Sequence, residues 1–175
     1  YQDNIAQVNF DYPRQQGLSD YQALALASVV EREANTDNRN VVASVFYNRL
    51  EQGMPLQSDA TVAYVVNHDP TPEDLNQQSP YNTYLNLGVP AGPICSPSLE
   101  SLEAVCNPAQ TDYLFFYFYP NSDGSMQYVF SQTYEEHQQA IQQAAQQSGV
   151  NAQDTGNNNV AEQSNQGNTQ NSTNE

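Results

Sequence analysis

An apolar run that stops abruptly on charged residues marks the stretch Leu24-Ala25-Leu26-Ala27-Ser28-Val29-Val30-Glu31-Arg32-Glu33. A carboxyl group at the inner edge of such a segment loses its water, and burial disfavours the ionised form. The pKa of Glu31 is therefore expected to rise, which keeps a glutamate protonated near neutral pH and able to act as a general acid. The plainer reading makes Glu31, Arg32 and Glu33 the solvated last turn of a helix, because charged residues favour the surface. Periodicity leaves both open.

Other side chains carry weaker signals. Arg49 falls on or beside the inner face of the next apolar pattern, as the ionic partner of a buried carboxylate or as an arginine whose head stays in water. Ser58 and Asp59 stand just ahead of a short apolar run, where they serve a site or simply cap a helix. Residues 79–94 form a long segment of aromatics, amides, Gly and Pro that includes Tyr81, Asn82, Thr83 and Tyr84. Loops of that length in a compact domain are usually functional. Tyrosine faces and asparagine amides suit the apolar faces and the hydroxyl or acetamido groups of a sugar; turn chemistry explains them equally well. His68 and His137 are far apart and no Cys/His cluster has ligand spacing, so neither metal nor cofactor is expected. Cys95 and Cys106 are read either as free thiols or as a disulfide, the bridge being favoured outside the cytoplasm.

The elements that position these residues follow from pattern and punctuation. Ser19 and Asp20 supply N-caps for a helix over 20–34, on which Leu24, Ala27, Ser28 and Glu31 share one face while Leu26, Val29, Val30 and Glu33 share its neighbour. Glu31 and Glu33 therefore point different ways. A second helix over 38–52 ends at Gly53, and its apolar face should pack on the first. A third starts at Ser58 or Asp59. Residues 68–79 read as a loop with a short helical turn, and 98–107 as a helix capped by Ser98 with Leu99, Leu102, Val105 and Cys106 inward. Tyr113-Leu114-Phe115-Phe116-Tyr117-Phe118-Tyr119, a turn at Asn121-Ser122-Asp123-Gly124, and Gln127-Tyr128-Val129-Phe130 predict a β-hairpin. Thr133 opens a last helix reaching 148, in which His137 is structural. The fold class is α+β: mainly helical, with a small antiparallel hairpin.

The 175 residues suffice for one domain and a tail. The division expected is an irregular lead-in over 1–17, a domain over 18–148, and a disordered Asn/Gln/Ser-rich tail over 149–175. Four arginines and no lysine against 20 acidic residues give a net charge of -16, which disfavours nucleic acid and anionic membrane surfaces. No apolar run approaches the roughly 18–20 residues needed to span a bilayer. The chain opens at Tyr1 with neither an initiator Met nor a signal peptide, as expected of a piece of a longer protein in which any anchor or export signal is out of view.

Five blocks, in order, resemble the endolytic murein transglycosylases of the YceG-like family. They are Leu26-Ala27-Ser28-Val29-Val30-Glu31-Arg32-Glu33, Val45-Phe46-Tyr47-Asn48-Arg49-Leu50, Gly53-Met54-Pro55-Leu56-Gln57-Ser58-Asp59, Ser79-Pro80-Tyr81-Asn82-Thr83-Tyr84 and Gly88-Val89-Pro90-Ala91-Gly92-Pro93-Ile94. The similarity runs on through Asn107-Pro108-Ala109, Thr111-Asp112-Tyr113-Leu114-Phe115-Phe116 and Phe130-Ser131, so it covers residues 18–141. It implies a lysozyme-like catalytic core and cleavage of peptidoglycan glycan strands between N-acetylmuramic acid and N-acetylglucosamine without water. The family pattern puts its catalytic glutamate at Glu31, which would protonate the glycosidic oxygen and then take the proton of the muramic C6 hydroxyl as a 1,6-anhydro ring closes. One carboxyl group suffices for that sequence, unlike the paired carboxylates of most glycosidases.

The resemblance further implies substrate contacts from Gln57, Tyr81 and Asn82, with Asp59, Thr83, Tyr84 and Arg49 as additional candidates and Glu33 supporting Glu31 or capping the fold. It implies peptidoglycan synthases (penicillin-binding proteins) as partners and a place on the extracytoplasmic face of the bacterial membrane, held by an N-terminal transmembrane helix absent from this chain. The hairpin departs from the family: Gly124-Ser125-Met126-Gln127-Tyr128 stands where Gly-Gly-His is common. Two alternatives remain at this level. One is a peptidoglycan-binding module without activity; the other is a muramidase-type hydrolase, for which Asp59 is the candidate second carboxylate.

Overall fold

The computed structural model describes residues 8–121 and 123–148. Within them the order is α1 (Asp11–Gln15), α2 (Asp20–Glu33), α3 (Arg39–Glu51), α4 (Asp59–Val66), a 3-10 turn (Asp74–Asn76), α5 (Leu99–Cys106), strands β1 (Phe115–Pro120) and β2 (Met126–Ser131), and α6 (Tyr134–Ser148). This is an α+β architecture with one two-stranded antiparallel sheet. The expected tail lies outside the described residues. No helix among the described residues is long and apolar enough to cross a membrane.

The central element is α2. Ser19 and Gln22 close a reciprocal capping box at its start, satisfying two otherwise orphaned backbone donors. Ala23, Ala25, Leu26, Ala27, Val29 and Val30 are all fully buried, so the helix is covered on most of its circumference. Helix α3 lies against it with Val42, Val45 and Phe46 in the same core, and Gly53, at φ +66, takes the left-handed conformation that ends it. Phe10 and Pro13 are buried too, and within the described part of the lead-in, which the sequence leaves irregular, Asp11–Gln15 fold into α1. Its five residues are too few for a periodic signal.

The hairpin pairs Phe115 with Ser131 through to Pro120 with Met126. Alternation along β1 sends successive aromatics to opposite faces. Phe116 meets Phe46 of α3 edge-on at 6.0 Å, while Phe115 stacks on His137 of α6 at 5.3 Å. His137 thus sits in the structural place expected for it.

The segment from Gly92 to Ser98 runs along α2. The backbone N–H of Ile94 donates to the Ser28 hydroxyl at 2.9 Å, and the Cys95 thiol donates to the Ser28 carbonyl at 3.3 Å. Both Cys95 and Cys106 are free thiols, so the disulfide alternative does not hold in this structure.

Candidate active site

The last turn of α2 sends its two carboxylates to different places, because residues two apart on a helix do not share a face. Glu31 turns to the start of α5. Its Oε2 accepts the Ser98 backbone N–H at 3.0 Å and the hydroxyls of Ser98 and Ser101 at 2.5 and 2.6 Å. Arg39 of α3 approaches Oε1 at 3.9 Å. Partial burial works to raise the Glu31 pKa, but the Ser101 and Ser98 hydrogen bonds and the Arg39 charge outweigh it and leave the value below that of an ordinary glutamate. This corrects the expectation that burial holds Glu31 protonated. Its burial is incomplete, with 26% of the side chain exposed, and its surroundings are donors.

Glu33 meets the opposite environment. It is 4% exposed, and its Oε1 accepts the Ser58 hydroxyl at 2.5 Å and, more weakly, the Ala60 backbone N–H at 3.5 Å. Burial pushes the Glu33 pKa up to about 7, and the Asp59 charge adds to the rise, against the Ser58 and Ala60 bonds and Arg32. A carboxyl group with such a pKa exchanges a proton at neutral pH, the property required of a general acid that must next act as base.

Ser58 occupies the N-cap position of α4 yet turns its hydroxyl to Glu33 instead of closing the helix end. The α4 N-terminus, with its positive dipole end, therefore faces the Glu33 carboxyl through the Ser58 hydroxyl and the Ala60 N–H. Asp59 accepts a hydrogen bond from the Tyr84 hydroxyl. Its pKa is pushed up to about 6, chiefly by burial. Thr83 fixes the loop to this helix: its hydroxyl accepts the Ser58 N–H at 3.0 Å and pairs with the Thr61 hydroxyl at 2.9 Å. Glu33, Ser58, Asp59, Thr61, Thr83 and Tyr84 thus form one polar cluster between α2, α4 and the 79–94 loop.

Asn82 and Gln57 buttress this cluster, and Arg49 lies behind it. Asn82 is 1% exposed; its amide donates to the Leu75 and Gln77 carbonyls and its oxygen accepts the Tyr84 N–H, so it shapes the loop. Gln57 adopts φ +53, rare for a residue with a Cβ, while its N–H donates to the Thr83 carbonyl. Arg49 is 1% exposed and pairs with no carboxylate among the described residues. It donates to the carbonyls of Leu114, Pro55 and Leu56 and to Gln57 Oε1, and its guanidinium lies 5.1 Å from the Phe115 ring centre. Burial accordingly lowers its pKa to about 10. The proposed substrate contact of Arg49 is therefore replaced by a structural role, tying α3 to the hairpin and to the strained Gln57.

Some partners have no signature in the sequence. Ser98 and Ser101 lie 67 and 70 positions from Glu31, and Tyr128, whose hydroxyl donates to the Glu33 carbonyl at 2.8 Å, lies 95 away. Only Ser98, as a cap, and Tyr128, as a strand residue, carry any local signal.

Comparisons with known proteins identify the family and the fold. The YceG-like family model matches residues 1–143. A Bacillus subtilis (strain 168) protein named endolytic murein transglycosylase is 43% identical over 127 residues, covering 70% of this chain and 34% of that protein. A protein of the same name from Streptococcus pneumoniae (strain D39) is 38% identical over 112 residues, covering 59% of this chain and 20% of its own length. The chain thus spans about a third or less of these relatives. A 2.6 Å crystal structure of a YceG-like protein from Listeria monocytogenes superposes with a TM-score of 0.62 at 42% identity, over 74% of this chain and 41% of that one. With ordered blocks, matched fold and a family model covering most of its length, this chain belongs to the YceG-like family.

Proposed function

We propose that this chain carries the catalytic centre of an endolytic lytic transglycosylase, cleaving peptidoglycan glycan strands between N-acetylmuramic acid and N-acetylglucosamine to leave a 1,6-anhydro end, and that Glu33 moves the proton. The observation that carries the reading is the buried Glu33 carboxyl, with a pKa of about 7 and one oxygen engaged by Ser58. In this scheme the protonated carboxyl donates to the glycosidic oxygen as the bond to the anomeric carbon breaks. The C6 hydroxyl of the muramic residue then attacks that carbon, and its proton passes to the Glu33 carboxylate. Proton donated and proton recovered balance, so the acid is regenerated without water.

Glu31, which the family resemblance singles out, is held by Ser98, Ser101 and Arg39 in its ionised form and acts in this proposal by locking α5 and the 92–98 segment to α2. Asp59 and Tyr84 set the charge beside Glu33, the buried Thr83 holds the loop to α4, and Gln57 and Tyr81 would border the strand. The curated relatives' names support murein as the substrate and hence a position outside the cytoplasmic membrane. Residues 18–148 would act as the catalytic domain, with an upstream anchor and peptidoglycan synthases as partners of the full-length protein.

Asp59 beside Glu33 also gives a muramidase-type hydrolase its two carboxylates. Product analysis separates the readings. Purified uncrosslinked strands incubated with the chain should gain internal 1,6-anhydromuramic ends by mass spectrometry. Reducing ends would establish hydrolysis, and intact strands that bind would establish a binding module.

A further inference from the structure

Three tyrosines gather where α4 points away from Glu33. Tyr64, on α4, and Tyr81, in the loop, stand with ring centres 4.9 Å apart. The Tyr21 hydroxyl, from the first turn of α2, and the Tyr81 hydroxyl both close over Gly92: a Cβ there would lie 2.5 Å from the first and 3.3 Å from the second. Gly92 is buried beneath them, so the tyrosine tips are seated while the rings stay open. Tyr21 is 58% and Tyr64 49% exposed, unusual for rings of this size held in a cluster.

The cluster is continuous with the proposed catalytic centre. Helices α2 and α4 lie against each other: Glu33 of α2 meets Ser58 at the start of α4, and Tyr21 of α2 approaches Tyr81, whose ring packs on Tyr64 of α4. Tyr64 follows Asp59 by five positions, roughly 7.5 Å along the helix, and Tyr21 precedes Glu33 by twelve, roughly 18 Å. Those spacings place the tyrosines beyond the sugar being cut, at another unit of the same strand.

We propose that Tyr21, Tyr64 and Tyr81, seated on Gly92, form an aromatic subsite that stacks a pyranose ring of the glycan strand one or more units from the scissile bond. The proposal rests on the reading of the chain as acting on glycan. Tyrosine is well matched to such stacking, because its ring offers an apolar face for the C–H side of a pyranose and its hydroxyl a hydrogen-bonding tip, at small conformational cost. A neutral, hydroxyl-tipped wall in a chain of net charge -16 fits the uncharged N-acetylglucosamine units of the strand better than its carboxylate-bearing muramic units.

Binding and cleavage are measured separately to test the subsite. Peptide-free glycan strands are titrated calorimetrically into the Glu33→Gln chain alone and with Tyr21→Ala, Tyr64→Ala, Tyr64→Phe or Gly92→Ala added. The alanine changes at the tyrosines should each weaken binding roughly three- to tenfold, the worth of one aromatic contact. Tyr64→Phe should stay within about twofold, because the ring face is kept. Gly92→Ala should also weaken binding, since the added methyl would lie 2.5 Å from the Tyr21 hydroxyl and 3.3 Å from that of Tyr81 and would unseat the ring tips. Circular dichroism should show the same fold throughout. Unchanged affinity in the alanine variants, or no strand binding by the parent variant, would overturn the subsite. Loss of cleavage by the wild-type chain together with tyrosine-dependent binding would overturn the enzymatic reading and leave the subsite standing.

Discussion

Glu31 and Glu33 leave the same helix turn and differ in pKa direction because of what surrounds them: three donors and a guanidinium for one, burial and a second carboxylate for the other. Moving the Glu33 pKa from 4.5 to about 7 corresponds to about 3 kcal/mol against the ionised form. Burial of Leu26, Val29 and Val30 on the same helix, worth about 1.5–3 kcal/mol each, offsets that cost. The sign of the pH dependence follows. A carboxyl whose folded pKa is raised stabilises the fold fully below its unfolded value near 4.5, and this contribution is lost as pH rises through about 7. Thermal midpoints measured between those pH values should fall with pH for the wild type and flatten in Glu33→Gln; parallel curves would contradict the assignment. Catalysis should share the upper limit, with kcat/KM falling above about pH 7 as the acid ionises. Asp59→Asn removes a charge that raises the Glu33 pKa, so this limb should move to lower pH. A limb that stays put would place the titration elsewhere.

At the scale of elements, Arg49 shows what the helices and hairpin require of one another. Truncating Arg49 to Ala leaves the Leu114, Pro55 and Leu56 carbonyls without their donor and opens space beside Phe115, costing roughly 3–5 kcal/mol. Urea denaturation should show this as a lower midpoint; a loss under about 1 kcal/mol would mean that water replaces the guanidinium. The same level explains what was legible in the sequence. Helices α2 and α3 and the hairpin follow from apolar spacing, capping residues and turn chemistry, all local signals, and the structure keeps those boundaries within a residue or two. The divergence of Glu31 from Glu33 was legible for the same reason. Which carboxylate is desolvated was not, because the deciding partners Ser98, Ser101, Ser58 and Arg39 come from other elements. Arg49 misled for a related reason: helical spacing places it inward but says nothing of the carbonyls waiting there.

For the whole molecule, the net charge of -16 acts on any substrate before contact. Glycan strands that still carry peptide stems bring carboxylates and are repelled at low salt. Raising ionic strength from about 0.01 to about 0.15 M shortens the screening length from roughly 30 to roughly 8 Å. Bare strands keep one lactyl carboxylate on each muramic residue, so KM should fall over that range for both kinds of strand, and further for whichever carries more net negative charge. No response from either would show that the charge lies away from the path of approach.

The two glutamates allow the most direct test of the central claim. The wild-type chain, Glu33→Gln and Glu31→Gln are each incubated with uncrosslinked glycan strands, and new 1,6-anhydromuramic ends are counted by mass spectrometry alongside a thermal melt. Glu33→Gln should lose cleavage by at least about a hundredfold, the usual worth of a general acid, with its fold intact. Glu31→Gln should melt earlier, by about 1–3 kcal/mol of lost charged hydrogen bonding, and retain measurable cleavage while folded. Cleavage by Glu33→Gln at the wild-type rate, with a folded Glu31→Gln inactive, would contradict the account and return the proton to Glu31.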